Sequence, residues 1–119
     1  MPQANVTVSV RKIDSTTSII DIQGEVNAFA EQALMAAYMD ASSASTRAII
    51  LNFTQLEYMN SSGIGLLVTL LIRVNRQKQR LLSCGLSEHY RHIFELTRLS
   101  DVINSYNTEE EVLAATRSL

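Results

Sequence analysis

The sequence predicts a single α/β domain: a mixed, mostly parallel β-sheet of about five strands with an N-terminal antiparallel hairpin, and about four helices. Three observations carry this. Short β-branched runs alternate with helix-forming segments, giving the order β-β-α-β-α-β-α-β-α, and such alternation calls for a mostly parallel sheet with helices packed on it. The run Ala48-Ile49-Ile50-Leu51 is continuously apolar, as a strand covered on both faces requires. The chain has 119 residues, of which 46% are hydrophobic, enough for one domain with its own core.

The elements follow in order. Residues 5–10 alternate apolar and polar, with Val6, Val8 and Val10 on one face of a half-buried strand. Residues 17–23 form the next strand, and the polar bend Asp14-Ser15-Thr16 between the two suggests a hairpin. Gly24 is expected to end the second strand. Asn27 suits a helix N-cap, since its side-chain oxygen can accept a free backbone N–H. Residues 28–41, rich in Ala, Leu and Met, read as helix, and residues 41–46 as a loop. Residues 47–53 are the central strand, and the next helix runs from about residue 62 to residue 76. Residues 80–84 are a strand, and Ser87 caps a helix over residues 88–96. Residues 102–106 are the last strand. Thr108 caps a final helix over residues 109–117, forming a capping box with Glu111. The acidic start of that helix and Arg117 near its end agree with the macrodipole.

Composition excludes several function classes. Charged residues make up 18% and the formal net charge is −2, so no basic field draws in phosphates and no nucleic acid is expected. The single cysteine, Cys84, cannot form an internal disulfide, which fits a reducing compartment. Residues 1–10 carry no apolar leader core. No stretch approaches the ~20 apolar residues of a membrane span. A soluble cytoplasmic protein is expected, without a membrane partner.

The most informative stretch is Glu57-Tyr58-Met59-Asn60-Ser61-Ser62-Gly63-Ile64-Gly65. It joins the buried strand to a helix, at a strand carboxyl end, where sites in open α/β sheets gather. The free N–H groups and positive dipole end of a helix start favour an anion. A phosphate on Ser61 would sit there with little strain, so a switch of this kind would change a docking surface and keep the fold. The same residues also serve a plain capped helix start. At about 100° per residue, Ser62, Gly65, Thr69, Arg73 and Arg76 share one stripe. Ile64, Leu67, Val68 and Leu71 lie opposite and are expected to face the sheet. Leu66 and Leu70 flank the stripe, so Leu66→Glu is expected to spare stability. The stripe suits either a partner-binding face or an ordinary solvated one.

Other residues are weaker candidates. Cys84, His89 and His92 lack both a nucleophile-base arrangement and metal-ligand spacing. Ser61 and Ser62 lack a nucleophile elbow, and there is no phosphate-binding lysine loop. Arg73, Arg76, Lys78 and Arg80 complement the negative end of the long helix. Leu86, Ser87 and the residues to Arg91 could border a partner site. No metal and no cofactor is expected.

The segment Leu51-Asn52-Phe53, with Leu56 and then Met59-Asn60-Ser61-Ser62-Gly63-Ile64-Gly65-Leu66-Leu67, resembles the signature of STAS domains. These occur in anti-sigma factor antagonists and in the cytoplasmic tails of sulfate transporters. Ile22-Gln23-Gly24-Glu25-Val26-Asn27 resembles the family's strand-end motif, and Ile93-Phe94-Glu95-Leu96-Thr97 with Leu99 its third-helix segment. The resemblance implies a STAS domain over residues 1–119, without enzymatic activity. It implies an anti-sigma factor antagonist that binds an anti-sigma factor, often also a serine kinase, and so releases a sigma factor. Phosphorylation breaks the complex, and a serine phosphatase resets it. The acceptor maps to Ser61, with Ser62 as alternative and expected helix cap. Gly63 and Gly65 would admit the partner's backbone. The implied partner-binding set is Asn27, Asn60, Ser61, Ser62, Gly63, Gly65, Leu66, Thr69 and Arg73. Asn27 and Asn60 stand where the family often has Asp, which lessens repulsion of a phosphate at Ser61. A monomer or weak dimer is expected. The alternatives are a stand-alone STAS adaptor in another signalling assembly and a small serine-dependent enzyme.

Overall fold

The computed structural model describes residues 5–119. Met1–Ala4, part of the segment read for a leader, lie outside the described residues. The elements are β1 (Val6–Lys12), β2 (Thr17–Val26), α1 (Glu31–Ala41), β3 (Ala48–Met59), α2 (Ser61–Arg76), β4 (Arg80–Cys84), α3 (Glu88–Leu96), β5 (Asn104–Tyr106) and α4 (Glu109–Thr116). Single 3-10 turns fall at Ala28–Ala30 and Leu99–Asp101.

The strands form one sheet in the order β1-β2-β3-β4-β5. The first pair is antiparallel and the other three pairs are parallel. Each parallel step moves the same way across the sheet. A right-handed crossover at each step therefore puts α1, α2 and α3 on one face. Ile20, Ile22, Ile49, Leu51 and Phe53 supply that face and pack with Leu34, Tyr38, Leu67, Leu70 and Phe94. The opposite face carries Ile19, Ile50, Leu82 and Cys84 beneath Val112 and Leu113 of α4. Continuous apolar runs in the central strands follow from this two-sided cover.

Asp14 builds the hairpin turn: its Oδ1 accepts from the backbone N–H groups of Thr16 (2.8 Å) and Thr17 (2.9 Å). These bonds hold its carboxyl below the usual carboxylate range. The guanidinium of Arg11 on β1 bridges Asp21 of β2 (2.6 and 2.8 Å) and Glu109 of α4 (2.7 and 3.2 Å). This ties α4 to the sheet edge that it leaves uncovered.

The boundaries differ from the expectation in five places. β2 continues through Gly24 to Val26; Gly24 takes φ +97°, and the pairing shifts register there and after Asp21. A side chain at 24 would strike the Asn5 carbonyl oxygen at 2.2 Å, so glycine there lets the edge strand pass close by. β3 likewise runs on to Met59, because lengthened β2 gives its polar extension a pairing partner. The first helix opens with the 3-10 turn, which Asn27 caps by accepting from Phe29 N–H at 2.9 Å. The last strand is shortened to Asn104–Tyr106, since the segment before it folds as the second 3-10 turn. The long helix also begins one residue earlier than expected, at Ser61.

Candidate functional site

The carboxyl end of β3 delivers the chain to α2 along a fixed path. Met59 is buried, and its N–H donates to the Tyr90 hydroxyl of α3 at 2.8 Å. Asn60 N–H donates to the Val26 carbonyl at 3.2 Å, linking the ends of β2 and β3. Asn60 is extended (φ −95°, ψ −175°), its carbonyl accepts from Ile64 N–H at 3.0 Å, and its Oδ1 accepts from Gly63 N–H at 3.0 Å. Asn60 is therefore the N-cap.

This corrects the assignment of the cap to Ser62. Residue 60 keeps strand-like backbone angles, so the helix opens at Ser61 and the third N–H falls within reach of residue 60. Ser61 and Ser62 occupy the first two helical positions and are exposed. The first turn contains no acidic side chain, so nothing there offsets the positive end of the helix.

The two glycines do different work. A Cβ on Gly63 would lie 2.3 Å from the Val26 carbonyl oxygen and 2.7 Å from Met59 Cγ. Gly63 is buried and admits the protein's own β2 end, which replaces the expected approach of a partner's backbone. Gly65 is exposed, and a Cβ there would meet nothing within 4 Å.

The orientation of α2 also differs from the expectation. Gly63, Leu66, Leu67, Leu70 and Val74 are its buried residues. Leu66 is only 8% exposed and Leu70 fully buried, so neither flanks a free surface. Val68, expected against the sheet, is 41% exposed, and Ile72 is 48% exposed. Ile64 and Leu71 are half-buried at the edge of the core. α2 packs against α1 and the first 3-10 turn as well as the sheet, and with neighbours on more than one side its buried residues include Leu66 and Leu70 while Val68 faces outward. The free face thus runs Ser61, Gly65, Val68, Ile72 and Arg76, at intervals of three and four residues.

The remaining expected site residues frame this face. Thr69 is half-buried at its edge, its hydroxyl donating to the Gly65 carbonyl at 3.2 Å. Arg73 is exposed in the last turn of α2 beside Arg76. Asn27 sits at the base of the 3-10 turn that packs beside α2, and that turn presents Phe29, 54% exposed. Tyr58, one residue before buried Met59, is also exposed. Phe29, Tyr58, Val68 and Ile72 are not among the partner-binding residues expected from the sequence. The run of i, i+3 and i+4 positions starting at Ser61 is the signal that could have found the last two.

Cys84 is buried on the α4 face of the sheet, whereas His89 and His92 lie on α3 against the other face. They form no pair. Burial pushes the Cys84 thiol up to about 11, so it stays protonated and unreactive at neutral pH. Among the described residues no cluster of three or more His, Cys, Asp or Glu could hold a metal ion. No helix of the described residues is long and apolar enough to cross a membrane.

The model of the STAS domain matches residues 7–112. The chain belongs to the STAS domain family. A curated relative, the anti-sigma-B factor antagonist of Listeria monocytogenes, is 26% identical over 108 residues, which is 91% of this chain and 95% of the relative. The crystal structure of an anti-sigma factor antagonist from Mycobacterium paratuberculosis superposes with a TM-score of 0.77 at 22% identity, covering 98% of this chain and 99% of the other. The phosphorylated form of the Bacillus cell fate determinant SpoIIAA superposes with a TM-score of 0.71 at 24% identity, over 92% of this chain and 99% of that one. These structures share the STAS fold seen here, with the antiparallel opening pair and the same sheet.

Proposed function

We propose that this STAS protein is an anti-sigma factor antagonist, switched by phosphorylation of Ser61. The unmodified domain binds an anti-sigma factor that is also its serine kinase, and a sigma factor is released. The phosphoserine form lets go, and a serine phosphatase restores binding.

One observation supports this reading above others: the exposed Ser61 heads a free helix face that continues through Gly65, Val68 and Ile72. A phosphate at the first helical position adds roughly −1.5 to −2 charges beside an uncompensated positive helix end. The helix tolerates it, while an apolar partner surface seated on the same stripe does not. Asn60 puts no carboxylate at the position before Ser61, and the first turn of the helix holds none. Ser62 is the second exposed hydroxyl and the alternative acceptor. Asn27, Thr69 and Arg73 border the face, and Gly63 and Leu66 act from beneath it.

The test is mass spectrometry of the protein after incubation with ATP and lysate of its own cells, paired with capture of the kinase on immobilised protein. Phosphate on Ser61, with capture abolished by Ser61→Asp and helical circular dichroism unchanged, is the expected result. Modification elsewhere with Ser61 untouched, or loss of helix on modification, overturns it.

A further inference from the structure

At the opposite end of the sheet, a cavity of about 500 Å³ opens between the amino ends of β2, β3 and β4 and the last turn of α4. Its size falls in the range of small-molecule sites. Register places Thr17, Ala48 and Arg80 side by side at the starts of three neighbouring strands. Arg47 and Lys78 line the cavity with them, facing Thr116 and Leu119.

Three cationic residues, all exposed, thus line one cavity. Among the described residues the ion pairs are those of Arg11 and Arg98, and none engages Arg47, Lys78 or Arg80. Asp14 of the hairpin turn accepts from Thr16 and Thr17. The backbone beneath is fixed: Thr16 carbonyl accepts from Arg47 N–H (2.7 Å) and Ala48 N–H (3.0 Å), and Arg47 carbonyl accepts from Arg80 N–H (2.8 Å).

Lys78 supplies a second observation. It closes α2 in a Schellman motif: Lys78 N–H donates to Asn75 carbonyl and Gln79 N–H to Val74 carbonyl, both at 3.0 Å. Its φ is +58°, a conformation that glycine adopts at no steric cost. The chain keeps a lysine there, and that lysine lines the cavity.

The geometry points to a binding site for a small molecule carrying two or three clustered negative charges, phosphates or carboxylates. The guanidinium forks of Arg47 and Arg80 suit planar or bidentate oxyanions, Lys78 adds a point charge, and the threonine hydroxyls can donate. The two positive ends of the molecule are distinct: this cavity lies at the strand amino ends, and Ser61 at the carboxyl ends.

The test is a two-dimensional amide NMR titration of the whole protein at low salt, with inorganic pyrophosphate in one arm and citrate in the other. Saturable shifts confined to Thr16, Arg47, Ala48, Lys78 and Arg80 are expected with pyrophosphate. A matching response to citrate extends the class to polycarboxylates; its absence restricts the class to phosphates. Arg47→Gln with Arg80→Gln should weaken binding at least about ten-fold with the melting temperature kept. Lys78→Gly should also weaken binding while raising stability, by relieving the backbone. Shifts that do not saturate, that centre on the first turn of α2, or that survive both variants overturn the assignment.

Discussion

The N–H of Met59, at the last residue of β3, donates to the hydroxyl of Tyr90 on α3 at 2.8 Å. This bond holds the strand end from which Asn60 and the exposed serines are launched. Both residues are buried, so no water easily replaces the hydroxyl. Tyr90→Phe leaves an unsatisfied buried N–H and should cost about 1–3 kcal/mol. Urea denaturation of the two proteins reads this directly.

Gly63 and Gly65 should respond to alanine with opposite signs. At Gly63 the new Cβ meets the Val26 carbonyl at 2.3 Å, and a backbone atom at the sheet end cannot step aside cheaply. At Gly65 the same Cβ enters open space, and the helix gains roughly 0.5–1 kcal/mol from the lost glycine entropy. Thermal denaturation should therefore show Gly63→Ala melting lower and Gly65→Ala melting higher than the parent.

Leu66 and Val68 are two residues apart but belong to different surfaces. Leu66→Glu forces a carboxylate into the core and should cost more than about 3 kcal/mol. Val68→Glu falls on the free face and should stay within about 0.5 kcal/mol of the parent. If the stripe seats the anti-sigma factor, Val68→Glu also abolishes its capture. Calorimetry for the first pair of values and a pull-down for the last separate the two roles.

Part of the acid sensitivity should arise at the Arg11 bridge, beside that of Asp14 in the hairpin turn. Hydrogen bonds from Arg11, then from Asn52, hold the Asp21 carboxyl below its usual value of 3.8. A group whose folded pKa is depressed contributes stability above its unfolded pKa and loses it as pH falls through the folded value. The contribution of Asp21 is thus complete at neutral pH, begins to decline as pH falls below about 3.8, and is lost as pH passes through the lower folded value. Asp21→Asn should be less stable than the parent at pH near neutrality, with a shallower decline into acid. Denaturant midpoints across that range test the sign.

The sequence made the element order legible because each segment's period and caps agree with its tertiary role. Asn27, Ser87 and Thr108 all cap where their side chains suggested, accepting from residues two or three ahead. What was not legible depends on contacts between distant segments. The outward face of α2 was misplaced because periodicity reports a helix's apolar side without saying how many neighbours divide it. Leu66 and Leu70 are buried on a helix that meets the sheet, α1 and the first 3-10 turn together. The reach of β3 to Met59 depends on the irregular extension of β2 past Gly24, which composition alone disguises as a strand end. The site motif itself was visible, but the division of labour within it, with Asn60 capping and Gly63 packing inward, needed the geometry.

The seat of Gly63 against Val26 has one more consequence. A helix start pinned that closely to the sheet has nowhere to retreat, so anything attached at Ser61 must be displayed outward. Information would then be stored in a covalent mark on the surface, with the helix start kept in place beneath it. If Ser61 carries the proposed mark, erasing it would return the original surface without a refolding step, and the speed of reset would rest with whatever writes and removes it.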